Sequence, residues 1–173
     1  MRYECIYKTT VPPIDGIVYM KCRHLYEIVS PKTKAYYMVW VEEYLDDFFA
    51  LKFHLRKDKK NSKKYSILSG YHEARPIILT CIDLLVKIAN NCPNASFGFI
   101  GAGMVDDENL SNTKRYRVYK RFVSTFVSED QFEHLFLPQK SAYVLLRKSS
   151  ISRNPNIKKE LNKKFSQMYS HFE

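Results

Sequence analysis

The most regular pattern of hydrophobic and polar positions lies in the middle of the chain, where apolar residues recur three and four positions apart. This spacing predicts a helix over residues 76–90 that packs one face against a sheet. Pro93, in an Asn-rich segment, cannot continue the helix and marks its end. The apolar positions are Ala74, Ile77, Ile78, Cys81, Ile82, Leu85, Ile88 and Ala89.

Two short apolar runs flank this helix and predict strands over residues 64–68 and 95–101. A strand, a crossover helix and a second, parallel strand form a right-handed βαβ-like unit. The loop over residues 69–75 leads into a helix N-terminus, which is a favourable place for an anion. The rest of the chain can be placed relative to this unit.

The N-terminal half predicts strands over residues 2–8, 34–43 and 49–56. The last of these alternates cleanly, and its apolar face holds Phe49, Leu51, Phe53 and Leu55. Residues 23–29 fit either a helix or a strand, and a helix over residues 39–48 remains an alternative to the second strand. A Lys-rich loop over residues 57–64 would close a hairpin between residues 49–56 and 64–68.

The C-terminal half predicts a helix over residues 112–122, a β-prone segment over 123–127 and a closing antiparallel hairpin of residues 132–137 and 141–147. These elements predict a single α/β (α+β) domain over residues 1–150, with a mixed, mostly antiparallel sheet flanked by helices. Residues 151–173 predict a basic amphipathic helix that docks on this domain or on a partner.

The charge is the largest departure from an average composition: the 173 residues carry a formal net charge of +10, with a pI near 9.4. Such a field attracts nucleic acid, phosphate-bearing cofactors or acidic proteins, and it does not select among them. One basic helix interleaves its cations with Tyr116 and Tyr119, which could stack on bases. Its cations are Lys114, Arg115, Arg117, Lys120 and Arg121. The alternative is that the cations face solvent while Tyr116, Val118 and Tyr119 pack inward.

The four cysteines form no C-x-x-C pair and no zinc-like spacing with the five histidines, so the sequence predicts no metal site. No signal peptide or apolar run of membrane-spanning length is present, and we expect a cytoplasmic protein with no membrane partner. The motifs G-x-S-x-G, H-E-x-x-H and the P-loop are absent. The glycines at 98, 101 and 103 favour close backbone packing or a bend between diverging strands.

Asn112, Tyr119 and Phe122, together with the order of elements over residues 49–148, carry a resemblance to a known family. The chain resembles the GNAT superfamily of N-acetyltransferases, in which a strand, a phosphate-binding loop, a helix, a diverging strand, a helix and a hairpin follow one another. The resemblance implies that Tyr119 protonates the departing thiolate of coenzyme A. The alternative is a half-buried Tyr119 with a structural role.

The same resemblance implies acetyl-CoA, or another acyl-CoA, as the cofactor. Its pantetheine arm would lie where the strands over residues 65–68 and 97–100 diverge. The residues implied in cofactor binding are Leu68, Ser69, Gly70, Ala74, Arg75 and Asn112. Glu73 adds a like charge to the phosphates and Pro76 removes one N–H donor, so a member of the fold that no longer binds the cofactor is the alternative.

A base for the amine would be a carboxylate or a histidine. Near the central N-terminal strands, where the superfamily usually places this group, we take Glu43 and His54 as the candidates, among neighbours that include Glu42, Asp46 and Asp47. By alternation His54 lies opposite the Phe53 face, on a candidate solvent face. Glu133 and His134 form a second candidate pair.

The sequence thus predicts an acyltransferase that moves an acetyl (acyl) group from acyl-coenzyme A to an amine by direct attack. The expected partner is an amine-bearing acceptor, either a small molecule or a macromolecule. The alternative is a non-catalytic module of the same fold that binds RNA, another nucleic acid or a protein through its basic surface. A second copy of the chain, as in a homodimer, is a further partner that the sequence allows.

Overall fold

A computed structural model of the chain describes residues 1–67, 69–103, 109 and 111–169. The described residues form an α+β protein with a seven-stranded mixed sheet and four α-helices, which confirms the predicted class. The strands are β1 (Cys5–Val11), β2 (Met20–Val29), β3 (Tyr36–Tyr44), β4 (Phe48–Leu55), β5 (Ser96–Ile100), β6 (Phe132–Leu137) and β7 (Ala142–Arg147). The helices are α1 (Ala74–Asn91), α2 (Lys114–Phe126), α3 (Lys148–Arg153) and α4 (Ile157–Tyr169).

The strands lie in the order β1-β2-β3-β4-β5-β7-β6. Every neighbouring pair is antiparallel except β4 and β5, which are parallel and connected through α1. A parallel pair needs such a crossover because its two strands start at the same edge of the sheet. The crossover helix follows the predicted periodicity, beginning and ending within two residues of the expected bounds.

The sheet has an apolar cluster on each face because its central strands are buried on both sides. On one face, Phe49, Leu51 and Leu55 of β4 pack in the same cluster as buried residues of α1 and α2, as the alternation of β4 predicts. On the other face, Phe48 and Ala50 share a cluster with Ile157 and Leu161 of α4. The tail helix therefore packs on the body of the protein through its first two turns.

The predicted strand over residues 64–68 is wrong over the four of its residues that the structure describes, 64–67, and so is the hairpin that it would complete. β4 runs directly into a 3-10 turn, Arg56–Asp58, and the chain then passes through successive turns up to residue 66. The turns satisfy their own backbone groups, as in the hydrogen bonds from Lys64 N to Asn61 O and from Ser66 N to Lys63 O. The Tyr65 ring packs edge-on against His54, with centroids 5.3 Å apart.

Other predicted elements need smaller corrections. Residues 123–126, predicted as β-prone, extend α2, and the undecided residues 23–29 belong to β2. The strand over residues 34–43 is confirmed as β3, and the closing hairpin is confirmed as β6 and β7. Within the described residues, no helix combines the length and the apolar character needed to cross a membrane.

Candidate functional site

The parallel strands β4 and β5 pair over only three positions and then diverge. Their register joins Phe48 to Ser96, Phe49 to Phe97 and Ala50 to Gly98. Beyond these pairs β4 continues to Leu55, while β5 pairs only with β7. Among the described residues, no strand pairs with the β5-facing side of β4 beyond Ala50. A strand edge without a neighbouring strand is where an extended ligand can add as a further strand.

A pocket, called the inner pocket here, fills the space between the diverging strands. Its walls come from residues 50–53 of β4, residues 98–100 of β5, three residues of α1, three residues of α2, Tyr65 and Ala102. Most of these side chains are apolar, including Leu51, Phe99 and Ile82. The inner pocket is therefore suited to an apolar or extended group.

A second pocket, called the outer pocket, continues the first toward the start of α1. The two pockets share Phe53, Ile78, Arg115 and Tyr119 in their linings. At its far end the outer pocket is lined by Ile67, Ser69, Glu73, Ala74 and Lys114. Together the pockets form a path from a helix N-terminus and two cations to the gap between β4 and β5.

Tyr119 lies where the two pockets meet. Its half-buried side chain projects from α2, and its ring centroid is 6.3 Å from that of Phe53. Burial raises the pKa of Tyr119 to about 12, although the nearby Arg115 guanidinium works in the opposite direction. Within the described part of the chain, its hydroxyl has no hydrogen-bond partner, so it is free to donate to a group in either pocket.

The start of α1 is built around the buried carboxylate of Glu73, which is 2% exposed. Burial opposes ionisation of Glu73, but hydrogen bonds from four hydroxyl groups outweigh it and hold its pKa below the usual range. The donors are Tyr3 (2.9 Å), Ser30 (2.5 Å), Thr33 (2.9 Å) and Tyr37 (3.2 Å). Both carboxylate oxygens are thus occupied by the protein.

Two of the residues predicted for cofactor binding, Ser69 and Ala74, line the outer pocket. Gly70, with φ of +70°, and the exposed Arg75 line neither pocket. Leu68 lies outside the described residues. Asn112 is exposed, two residues before α2, and the structure does not bring it into this site.

The two candidate bases lie in different places. His54 lines the outer pocket and is 4% exposed. The prediction that it lies on a solvent-facing side of the strand is wrong, because the Tyr65 ring covers it. Burial lowers the pKa of His54, and the Nδ1–H donates to the Leu55 carbonyl at 2.8 Å, which leaves Nε2 as the basic nitrogen. Such a histidine is neutral at pH 7 and can accept a proton.

Glu43 lines neither pocket. Burial opposes its ionisation, but hydrogen bonds from His24 and Lys21 outweigh that effect and lower its pKa, which makes it a weak base. The second predicted pair is also engaged elsewhere, since Glu133 pairs with Lys158 and His134 bonds the Tyr143 hydroxyl. Of the carboxylates and histidines singled out as bases in the sequence, His54 is best placed for this site.

Sequence reasoning found Tyr119 of α2 but missed the two cations that this helix contributes to the pocket. Lys114 and Arg115 line the outer pocket, and Arg115 donates to the Ile67 carbonyl at 2.6 Å. The basic run was visible in the sequence, but it was assigned to a nucleic-acid surface. Tyr116 is 2% exposed, as the alternative that packs it inward predicts, and it cannot stack on a base. Gly101 was interpreted correctly, because a Cβ there would lie 2.3 Å from Tyr116 N.

No known protein-family model, curated protein sequence or solved structure matches this chain. The site must therefore be interpreted from its own geometry and chemistry.

Proposed function

We propose that this protein transfers an acyl group from acyl-coenzyme A, with acetyl-CoA as the first candidate, to an amine. The observation that carries the proposal is the divergence of β4 and β5 after Ala50 and Gly98, with the inner pocket and Tyr119 inside it. The order of strand, loop, helix, diverging strand, helix and hairpin supports an acyl-CoA N-acyltransferase-like fold. Here the diverging partner of β5 is β4 rather than the segment over residues 65–68.

The shape of the two pockets fits the parts of acyl-coenzyme A. The pantetheine arm is extended and carries two amides, so it can lie along β4 beyond Ala50, where the described part of the chain places no strand on the β5 side. The pyrophosphate then lies at the outer pocket, near the Ala74 N–H and the cations of Lys114 and Arg115. This placement points the thioester into the inner pocket beside Tyr119.

In the reaction, the amine nitrogen attacks the thioester carbonyl, the C–N bond forms, and the C–S bond breaks. The proton that the amine loses passes through water to Nε2 of His54, which lines the adjoining outer pocket. The Tyr119 hydroxyl donates to the departing sulfur. Because a thiol has an ordinary pKa of about 8.5 and burial holds the pKa of Tyr119 well above that value, full proton transfer from Tyr119 to the sulfur is uphill. The hydroxyl therefore contributes mainly by hydrogen bonding to the sulfur as the C–S bond breaks.

Thermal unfolding with and without acetyl-CoA tests the binding step. A ligand at about a hundred times its dissociation constant adds roughly 2.7 kcal/mol, which raises the Tm of a domain of this size by about 5–10 °C. Coenzyme A should reproduce most of the shift, whereas inorganic phosphate at the same concentration should not. An unchanged Tm at a high concentration of acetyl-CoA would contradict the proposed acyltransferase function.

The chemical step is tested by Tyr119→Phe in an assay of thiol release from acetyl-CoA with a panel of primary amines. We expect turnover to fall about a hundredfold with cofactor affinity nearly unchanged, because only the hydroxyl is lost. Tyr36→Phe is the matched control, since Tyr36 is 44% exposed and lies in neither pocket. Equal turnover of Tyr119→Phe and wild type, with chemistry limiting the rate, would exclude Tyr119 from the mechanism.

A second candidate function, binding of RNA or another polyanion without catalysis, rests on the exposed face of α2. Lys114, Arg117, Lys120 and Arg121 are all exposed there. Binding through such a face weakens steeply as salt rises, whereas stabilisation by acetyl-CoA persists in moderate salt. An RNA affinity that falls tenfold or more between low and moderate salt, with no Tm shift from acetyl-CoA, would favour this second function.

A further inference from the structure

A compact group of three metal-ligand side chains lies on β2 and β3, outside both pockets. Cys22 and His24 are two residues apart on β2 and therefore project from the same face of the strand. Glu43 of β3 is the register partner of Cys22, next to a register shift between Met20 and Cys22. Strand alternation and cross-strand pairing thus bring a thiol, an imidazole and a carboxylate together.

The distances within the group come close to the ligand spacing of one tetrahedral zinc ion. Cys22 Sγ lies 3.4 Å from His24 Nε2 and 3.6 Å from Glu43 Oε2, and the last two atoms are 3.0 Å apart. With zinc bonds of about 2.3 Å to sulfur and about 2.0–2.2 Å to nitrogen and oxygen, tetrahedral ligands lie about 3.3–3.6 Å apart. The two distances from sulfur fall in this range, and the hydrogen-bonded nitrogen and oxygen must move apart by about 0.3 Å when zinc binds. We propose that Cys22, His24 and Glu43 bind a zinc ion, with a fourth position left for water.

The surrounding side chains orient the ligands for this role. The Thr10 hydroxyl lies 2.8 Å from His24 Nδ1, and the Tyr7 hydroxyl lies 2.8 Å from Thr10 Oγ1. In the zinc-bound form the Thr10 hydroxyl accepts a hydrogen bond from Nδ1–H, so Nε2 presents its lone pair to the metal instead of donating to Glu43, as outer partners of zinc-bound histidines commonly arrange. Lys21 bonds the other oxygen of Glu43, Oε1, at 2.9 Å, so Oε2 is left for the ion.

Access and chemistry both favour zinc over the hard cations. The His24 and Glu43 side chains are 24% and 23% exposed, which leaves an entry path from solvent. A thiolate and an imidazole suit zinc, whereas Mg²⁺ and Ca²⁺ need sets of oxygen ligands. On binding, the Cys22 thiol loses its proton to solvent and the zinc–sulfur bond forms in its place, so each zinc ion bound releases one thiol proton.

The proposal is tested by titrating the full chain, stripped of metal with a chelator, with Zn²⁺ in competition with a metal indicator. We expect one zinc ion per chain, no competition from millimolar Mg²⁺, and at least tenfold weaker binding by Cys22→Ser and by His24→Gln. Cys5→Ser and His72→Gln are the matched controls and should bind as wild type does, because neither residue belongs to the cluster. Thr10→Val should weaken binding about tenfold through the loss of its hydroxyl.

A second measurement keeps the test decisive if a cluster variant fails to fold. Co²⁺ added to the wild-type chain should give thiolate-to-cobalt charge-transfer absorption and the intense visible bands of a tetrahedral site. Zinc binding of equal strength in wild type and Cys22→Ser, a cobalt spectrum without thiolate bands, or no zinc binding at all would each overturn the proposal. Because the cluster lies outside both pockets, these results do not depend on acetyl-CoA binding.

Discussion

The N-terminal ends of α1 and α2 both border the outer pocket, but they are built in opposite ways. α1 begins after Glu73, whose buried carboxylate adds a negative charge beside the helix N-terminus. α2 begins after Thr113, a neutral cap that accepts the Tyr116 N–H at 3.2 Å, and its first two residues are Lys114 and Arg115. One end thus carries an internal anion and the other carries two cations.

The difference shows that an anion site cannot be inferred from a helix N-terminus alone. At α1 the positive end of the helix dipole is already balanced by Glu73, and Pro76 removes one of the free donors. The start of α1 can still offer the backbone N–H of Ala74 to a phosphate, but most of the attraction must come from Lys114 and Arg115. In this arrangement α1 supplies a backbone N–H donor and α2 supplies the positive charge.

Removing the negative charge of Glu73 at the start of α1 should have the largest effect on stability. Glu73→Gln keeps the shape of the side chain but replaces one acceptor oxygen with an NH₂ donor, so at least one buried hydroxyl loses its partner and the charge-assisted bonds weaken. We expect the free energy of unfolding, measured in urea, to fall by about 3 kcal/mol. Glu133→Gln is the matched control, because Glu133 makes a partly exposed ion pair with Lys158, worth at most about 1 kcal/mol. Equal stability of the two variants would contradict this account of α1.

The dependence of stability on pH below 4.5 should show a smaller effect of Glu73. Because the folded-state pKa of Glu73 lies below the unfolded value of 4.5, its stabilisation is fully present above pH 4.5 and is lost as the pH falls through the folded pKa. Denaturant unfolding of the wild type below pH 4.5 should therefore lose stability more steeply than that of Glu73→Gln. Parallel pH profiles would mean that Glu73 is not held ionised by its four hydroxyl donors.

The sequence predicted the elements that depend on local pattern and missed the contacts that depend on tertiary placement. α1 was predictable because its apolar positions repeat over 18 residues, and β4 because of the clean alternation of Phe49, Leu51, Phe53 and Leu55. The five-residue run over residues 64–68 was too short to separate a strand from a turn, and the ring of Tyr65 covers His54.

The candidate site was only partly predictable for the same reason. Tyr119 was found through its resemblance to a family motif, and the structure places it where the two pockets meet. The hydroxyls on Glu73 come from positions 3, 30, 33 and 37, a set that no local spacing reveals. The group of Cys22, His24 and Glu43 depends on the register of β2 against β3, which sequence spacing does not give.

The smallest expected effect is on the affinity for acetyl-CoA. It tests the difference between the two helix ends most directly, because it separates the contribution of charge at α2 from that of charge at α1. Lys114 and Arg75 are both exposed cations in the first turn of their helices, but only Lys114 lines the outer pocket. Lys114→Ala should weaken acetyl-CoA binding about fivefold, or roughly 1 kcal/mol, measured by calorimetry at low salt. Arg75→Ala should leave the affinity within twofold, since its charge lies outside the pocket and beside Glu73. If Arg75→Ala is the more damaging change, the phosphates lie at α1, and the proposed division of roles between the two helix ends is wrong.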